Sequence, residues 1–150
     1  MHSTTNLSPT FGRTPGRTLG CILMASGMGV RFGSNKLLAS FLGKPLIHQI
    51  LSATDTDAFS KRVVVTRHPE IADLCRQKSI GVILHELPYR NDTVRLGLEC
   101  FGEDLPDGCM FCPCDQPLLS RETLEKMTHA FLNDRNIYIN YPIRGIHQAL

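Results

Sequence analysis

The sequence predicts an α/β fold built on a mainly parallel sheet. Three observations carry that prediction: short apolar runs alternate with helical patterns, the runs are continuously apolar, and a glycine-rich segment follows the first of them. Strands covered on both faces read as unbroken apolar runs, and strands separated by helices form βαβ units with right-handed crossovers.

The elements follow in order. Leu19–Ala25 is an apolar run with a glycine at its second position and another just beyond it, the pattern of a buried strand. Residues 26–35 hold Gly27, Gly29 and Gly33 and predict a loop. Pro45 opens a helical pattern with Leu46, Ile47, Ile50 and Leu51 on one face. Arg62–Thr66, with three consecutive valines, is a second strand, and Pro69–Lys78 is a short helix. Gly81–Leu84 is a third strand. Asp92 is expected to cap a helix running to about Cys100, with Val94, Leu96 and Leu98 apolar. Cys109–Cys112 is a fourth strand, and a helix beginning near Thr123 takes Ser120 as its N-cap. Ile137–Ile139 reads as a weak fifth strand.

At 150 residues the chain makes one domain with a substantial core. Apolar residues are 42% and charged residues 20%, which excludes wholesale disorder, and a net charge of +2 points to no nucleic-acid partner. No run is long enough to span a bilayer. Residues 1–18 form a polar tail with Pro9, Pro15, two arginines and no acid, expected to be disordered, and the domain is expected over 19–150. The tail's Ser, Thr and Arg content is shared with organelle transit peptides, but its prolines and glycines oppose an amphipathic helix. It has no apolar segment of the kind that directs export, so the six cysteines read as reduced thiols in a cytoplasmic protein. Cys109, Cys112 and Cys114 give C-x-x-C-x-C without a fourth ligand at zinc-finger spacing, and behave as small hydrophobes of a strand.

In a parallel sheet of this kind ligands bind beyond the carboxyl ends of the strands. That rule selects Ser26–Lys36, Arg67-His68, His85-Glu86 and Pro113–Pro117. The first segment carries the strongest signal. Glycines let the backbone approach a ligand and present amide N–H groups to anionic oxygens, and Arg31 and Lys36 add two cations suited to a polyphosphate. A Walker loop is excluded, because Gly43-Lys44 is followed by Pro45 and has Leu38 where its first glycine is needed. A dinucleotide fingerprint fails on spacing, and Arg67 stands where an acid is required. An ordinary flexible turn remains the plain alternative. The second signal is Asp115 in Pro113-Cys114-Asp115-Gln116-Pro117, where a carboxylate beyond a strand suits Mg²⁺ bridging phosphates, or else an Asp in a proline-flanked turn.

These residues carry a resemblance. Ile22–Leu38 is similar to the L-x-A-x-G-x-x-x-R-x-G-x-x-K signature of nucleotidyltransferases, and Asp115-Gln116-Pro117-Leu118-Leu119 resembles the segment of the molybdenum cofactor cytidylyltransferase group. The resemblance covers roughly residues 19–140. It implies a three-layer α/β/α fold of the nucleotide-diphospho-sugar transferase type, with the glycine-loop strand beside the Asp115 strand. It implies that Ala25, Ser26, Gly27 and Gly29 contact the nucleotide, that Arg31 and Lys36 hold the triphosphate, and that Asp115 holds Mg²⁺. Asn91–Leu98 is similar to the helix start that reads the base, with Thr93 the contact residue; a capped helix packing Val94 and Leu98 is the alternative.

The implied reaction is attack of a molybdopterin-type phosphate on the α-phosphorus of CTP, releasing pyrophosphate, with a molybdenum hydroxylase as the downstream partner. Arg31, Lys36 and Asp115 are the implied catalytic residues. Members of the group continue for several tens of residues beyond the point where this chain ends, so the resemblance implies an incomplete carboxyl end. Two other readings stand beside it: nucleotidyl transfer to a sugar or isoprenoid precursor, and a non-catalytic nucleotide-binding accessory protein or inactive fragment.

Overall fold

The computed structural model describes residues 16–28 and 33–136. Its elements are β1 (Leu19–Ala25), β2 (Ser40–Phe41), β3 (Lys44–Pro45), α1 (Ile47–Ala53), β4 (Lys61–Thr66), α2 (Pro69–Gln77), β5 (Gly81–Leu84), α3 (Arg90–Glu99), β6 (Gly108–Pro113) and α4 (Arg121–Asn133). Four strands form a parallel sheet in the order β5-β4-β1-β6. The chain builds outward from β1 to β4 and β5, then crosses back through α3 to place β6 on the other side of β1. The reversal at β1 is a topological switch point, where the connections on either side diverge and leave a crevice. As the resemblance implied, the glycine-loop strand and the Asp115 strand are neighbours, with Leu23 opposite Cys112 and Met24 opposite Pro113.

Alternate side chains of each strand serve two cores. Cys21, Leu23, Ala25, Val64, Cys112 and Cys114 join Ile47, Ile50, Ile71, Cys75, Leu124 and Phe131, so α1, α2 and α4 cover one face. Ile22, Val63 and Val65 meet Leu96, Cys100 and Phe101, so α3 and the turn after it cover the other. This is the three-layer arrangement. Burial on both faces explains why the inner strands β1 and β4 carry continuous apolar runs, while β5 at the sheet edge leaves Gly81 and Leu84 exposed. Cys21 and Cys112 hydrogen-bond to each other, an interaction that, with burial, pushes the Cys21 thiol up; all six cysteines among the described residues are free.

β1 and β5 fall where the sequence places them, while β4 starts one residue earlier and β6 gains a residue at each end. Ser120 caps α4 as expected, its hydroxyl accepting the Thr123 N–H at 3.2 Å. Three expectations are corrected. The helix predicted to open at Pro45 starts at Ile47, because Lys44–Pro45 pairs with Ser40–Phe41 in a hairpin and the Leu46 N–H is taken by the Ala39 carbonyl at 2.9 Å. The hairpin turns on Leu42 and Gly43 with φ of 51° and 78°, both left-handed. That geometry suits glycine and strains leucine, so the pattern did not announce a turn. Asp92 lies one turn inside α3 rather than at its cap, where its carboxylate accepts the Tyr89 N–H at 3.1 Å. On α3, Thr93 and Gly97 are the buried positions, with Leu96 packed on the sheet, whereas Leu98 is exposed. Gly97 permits this close seat, since a Cβ there would stand 2.7 Å from Ile22 Cγ2.

Of the expected tail, residues 1–15 lie outside the described residues, as does the expected strand Ile137–Ile139. Arg17 and Thr18, the last of that tail, are bonded into the fold. Arg17 stands 3.6 Å from the Phe131 ring centroid, and the Thr18 N–H donates to Asp107 Oδ2 at 2.7 Å. No helix among the described residues is long and apolar enough to cross a membrane.

Candidate functional site

A crevice of about 410 Å³ opens beyond the carboxyl ends of β1, β4 and β6. Ser26, Gly27 and Met28 from the loop after β1 line it, with Asn35 and Lys36 where that loop ends. Arg67 follows β4, Pro88, Tyr89, Arg90 and Thr93 come from the approach to α3 and its first turn, and Asp115 follows β6. Three of the four segments that the strand-end rule selects reach this crevice, those after β1, β4 and β6, whereas His85-Glu86 does not line it and residues 88–93 enter from outside the selected segments. Of the residues named from sequence, Ser26, Gly27, Lys36, Thr93 and Asp115 come together here. Ala25 is fully buried in the core, so only its main chain is available to a ligand. Gly29 and Arg31 lie outside the described residues.

The start of the glycine loop is tied to the strand beside it. The Thr66 hydroxyl donates to the Ala25 carbonyl at 2.9 Å and accepts the His68 N–H at 3.1 Å. His68 Nε2 lies 2.8 Å from the Gly27 carbonyl, which can only accept, so that nitrogen carries the proton. The Ser26 hydroxyl lies 3.2 Å from the Val65 carbonyl and 2.9 Å from His85 Nε2. Three successive residues are therefore pinned by polar groups on or beyond β4 and β5.

The loop closes on a short 3₁₀ turn, Lys36–Leu38. Gly33 there has φ of 69°, a left-handed conformation that favours glycine. Asn35 caps the turn, its Oδ1 accepting the Leu37 N–H at 3.1 Å. Its Nδ2 is buried and has no hydrogen-bond partner among the described residues. A buried donor left unsatisfied costs about 1–3 kcal/mol, and Asn35 is among the residues that line the crevice beside Lys36. Lys36, Arg67 and Arg90 line the same space, and none has an ion-pair partner among the described residues. Asp115 is the one acid of that lining. The site is a cationic, donor-rich cleft suited to a polyanion.

A divalent cation fits this donor set in one way. Asp115 is exposed at the rim, and its carboxylate has no hydrogen bond or ion pair among the described residues. Mg²⁺ binds through one or two carboxylates together with phosphate oxygens. The described residues hold no group of three His, Cys, Asp or Glu that could hold a metal, so a cation at Asp115 would complete its shell with phosphate oxygens and waters.

Arg67, Arg90, Tyr89, Asn35, His68 and His85 were not given roles from the sequence. Asn35, Arg67, His68 and His85 sit in segments that the strand-end rule selects, and that position is the available signal; Tyr89 and Arg90 lie outside them. His85 is buried, and its pKa is lowered, first by burial and then by the Arg67 and Arg95 charges, with Asp92 opposing.

Comparisons with known proteins agree with the geometry. The family model described as a MobA-like NTP transferase domain matches residues 21–149. A probable molybdenum cofactor guanylyltransferase of Bacillus cereus is 34% identical over 103 residues, spanning 67% of this chain and 50% of that protein. A 3-deoxy-manno-octulosonate cytidylyltransferase of Alkalilimnicola ehrlichii is 31% identical over 86 residues, 56% of this chain and 33% of that one. Among solved structures, a nucleotidyl transferase from Methanothermobacter superposes with a TM-score of 0.62 at 21% identity, covering 76% of this chain and 58% of that one. A CMP:2-keto-3-deoxy-manno-octonic acid synthetase complexed with CTP gives 0.61 at 19%, covering 78% and 48%. The chain spans about half the length of the curated guanylyltransferases it matches.

Proposed function

The chain belongs to the MobA-like NTP transferase domain family, and from that premise we propose that it transfers a nucleotide from a nucleoside triphosphate to a molybdopterin-type phosphate, releasing pyrophosphate. The observation that carries the proposal is the convergence of Lys36, Arg67, Arg90 and Asn35 on the crevice beside the loop that follows β1, with no ion-pair partner for the three cations among the described residues. Such a cleft favours a ligand whose charge is concentrated on adjacent phosphates.

In the proposed reaction an acceptor phosphate oxygen attacks the α-phosphorus. The new P–O bond forms as the bond to the β-phosphate bridging oxygen breaks, and the electron pair leaves with pyrophosphate. No protein nucleophile is needed. The chain's task is to align the two phosphates and to neutralise charge on the leaving group, which is the larger part of catalysis in phosphoryl and nucleotidyl transfer. Lys36 and the Asn35 amide would hold the distal phosphates, with Arg31 joining them as the resemblance implies. Arg67 and Arg90 supply further positive charge on the opposite wall. Asp115 would hold Mg²⁺, which when bound offsets repulsion between the carboxylate and the phosphates.

The Asp-Gln-Pro resemblance favours CTP, whereas the relatives named above include a guanylyltransferase. The deciding experiment incubates the protein with molybdopterin, Mg²⁺ and either CTP or GTP and measures pyrophosphate. Acceptor-dependent release with one nucleotide supports the proposal and assigns the base. Release with CTP and a 3-deoxy sugar acid, but not with molybdopterin, would transfer the activity to the sugar branch. No binding of either nucleotide by calorimetry would overturn it.

A further inference from the structure

We propose that His85 is a positioning residue whose neutral imidazole locks the start of the glycine loop to the segment leading into α3, holding the two walls of the crevice at their working separation. The consequence for nucleotide binding rests on the function proposed above; the lock itself does not.

The geometry assigns the tautomer. The Leu87 N–H lies 3.1 Å from His85 Nδ1, and a backbone amide can only donate, so Nδ1 carries the lone pair. Nε2 then carries the proton and donates to Ser26 Oγ at 2.9 Å. That direction is consistent with the third bond, because the Ser26 hydroxyl lies 3.2 Å from the Val65 carbonyl and must spend its own proton there. A continuous relay results: Leu87 N–H to His85, His85 to Ser26, Ser26 to Val65. Thr93 Oγ1, 3.5 Å from Nε2, packs on the same edge of the ring.

The two ends of the relay belong to opposite walls. Ser26 begins the loop that leads to Lys36, while Leu87 precedes Pro88, Tyr89 and Arg90. His85 itself does not line the crevice; it stands behind it and is 9% exposed. The relay also commits the Ser26 hydroxyl, so a nucleotide meets Ser26 through its main chain.

Protonation would end the lock. A second ring proton at Nδ1 would face the Leu87 N–H, setting donor against donor. The groups facing the ring are Arg67 just beyond β4 and Asp92 and Arg95 on α3, while residues 26–28 of the glycine loop bring no charge. Burial and the two arginines outweigh Asp92, so the neutral form persists below the ordinary histidine value of about 6.5.

The test has two readouts on the full chain. Ring ¹⁵N spectra of labelled protein should show His85 as the Nε2–H tautomer, titrating below its ordinary value together with the Leu87 amide. An Nδ1–H tautomer, or a Leu87 amide blind to that titration, would overturn the lock without any reference to nucleotide. For the second readout, GTP and CTP affinities are measured between pH 5 and 8 for wild type, H85F, H85Q and S26A. H85F keeps ring volume but makes neither bond and should weaken binding about three- to tenfold at pH 7.5, the scale of one or two hydrogen bonds. H85Q keeps a donor toward Ser26 and cannot be protonated, so it should stay within about threefold and lose the acid-side fall seen in the wild type. Comparison of the two profiles cancels the nucleotide's own phosphate titration. S26A should add little to H85F, since both cut the same relay. Equal affinity and an unchanged pH profile in H85F would refute the positioning role. A wild type that binds neither nucleotide refutes the proposed function instead, and the ring spectra still decide the lock.

Discussion

Gly97→Ala tests how closely α3 must sit on the sheet. A Cβ built at Gly97 stands 2.7, 2.8 and 3.0 Å from Cγ2, Cδ1 and Cγ1 of Ile22. Ile22 is fully buried on β1 between Val63 and Phe111 of the neighbouring strands, so it has no free volume into which to turn. Overpacking of this kind costs about 1–3 kcal/mol. Against it stands the gain of about 1 kcal/mol on replacing a helix-interior glycine with alanine. The overpacking outweighs that gain, leaving a net loss of up to about 2 kcal/mol, which for a chain of this size lowers Tm by up to about 6 °C. The assay is thermal and urea unfolding of the wild type, G97A, I22A and the double variant. I22A alone should cost about 2–5 kcal/mol through its cavity. In the double variant the new methyl enters that cavity, so G97A should become neutral or stabilising in the I22A background. A G97A protein that melts at or above the wild-type temperature would refute the tight seat, and simple additivity would refute Ile22 as its cause.

Lys36→Ala should weaken nucleoside triphosphate binding by about tenfold or more and monophosphate binding far less, because the ammonium lies where the glycine loop ends; equal losses in calorimetry would remove Lys36 from the distal phosphates. Asp115→Asn keeps size and hydrogen-bonding capacity but removes charge. It should abolish the Mg²⁺ enhancement of nucleotide binding while leaving metal-free binding equal or better, and an unchanged Mg²⁺ dependence would place the cation elsewhere. Acid stability follows from two histidines. Burial lowers His85, and burial with Lys78 and Lys44 lowers His48, so the unfolded chain binds more protons than the folded one between the folded pKa values and 6.5. Their contribution is fully present above about pH 6.5 and is lost as pH falls through the folded values. The urea midpoint should therefore drop between pH 7 and 5, and less steeply in H85Q.

The sequence by itself determined the order and kind of the main elements. Cys21–Ala25 and Val63–Val65 are continuous apolar runs because the inner parallel strands are covered on both faces, and that composition is legible without coordinates. Asn35 and Lys36 sit at the end of a glycine loop in any reading, since their relation is local. The hairpin at Leu42-Gly43 was illegible for a local reason of the opposite kind, a leucine held in a left-handed turn. What only the tertiary structure decided is which distant residues meet. Ser26 and His85 are 59 positions apart, and their bond exists because β4 lies between β1 and β5 in the sheet and brings both strand ends to one edge. Arg67 and Arg90 join Lys36 for the same reason. Strand order follows from crossovers and packing that no single segment encodes, so a histidine that reads in sequence as an ordinary polar residue becomes, in the fold, a brace between the two walls of a crevice.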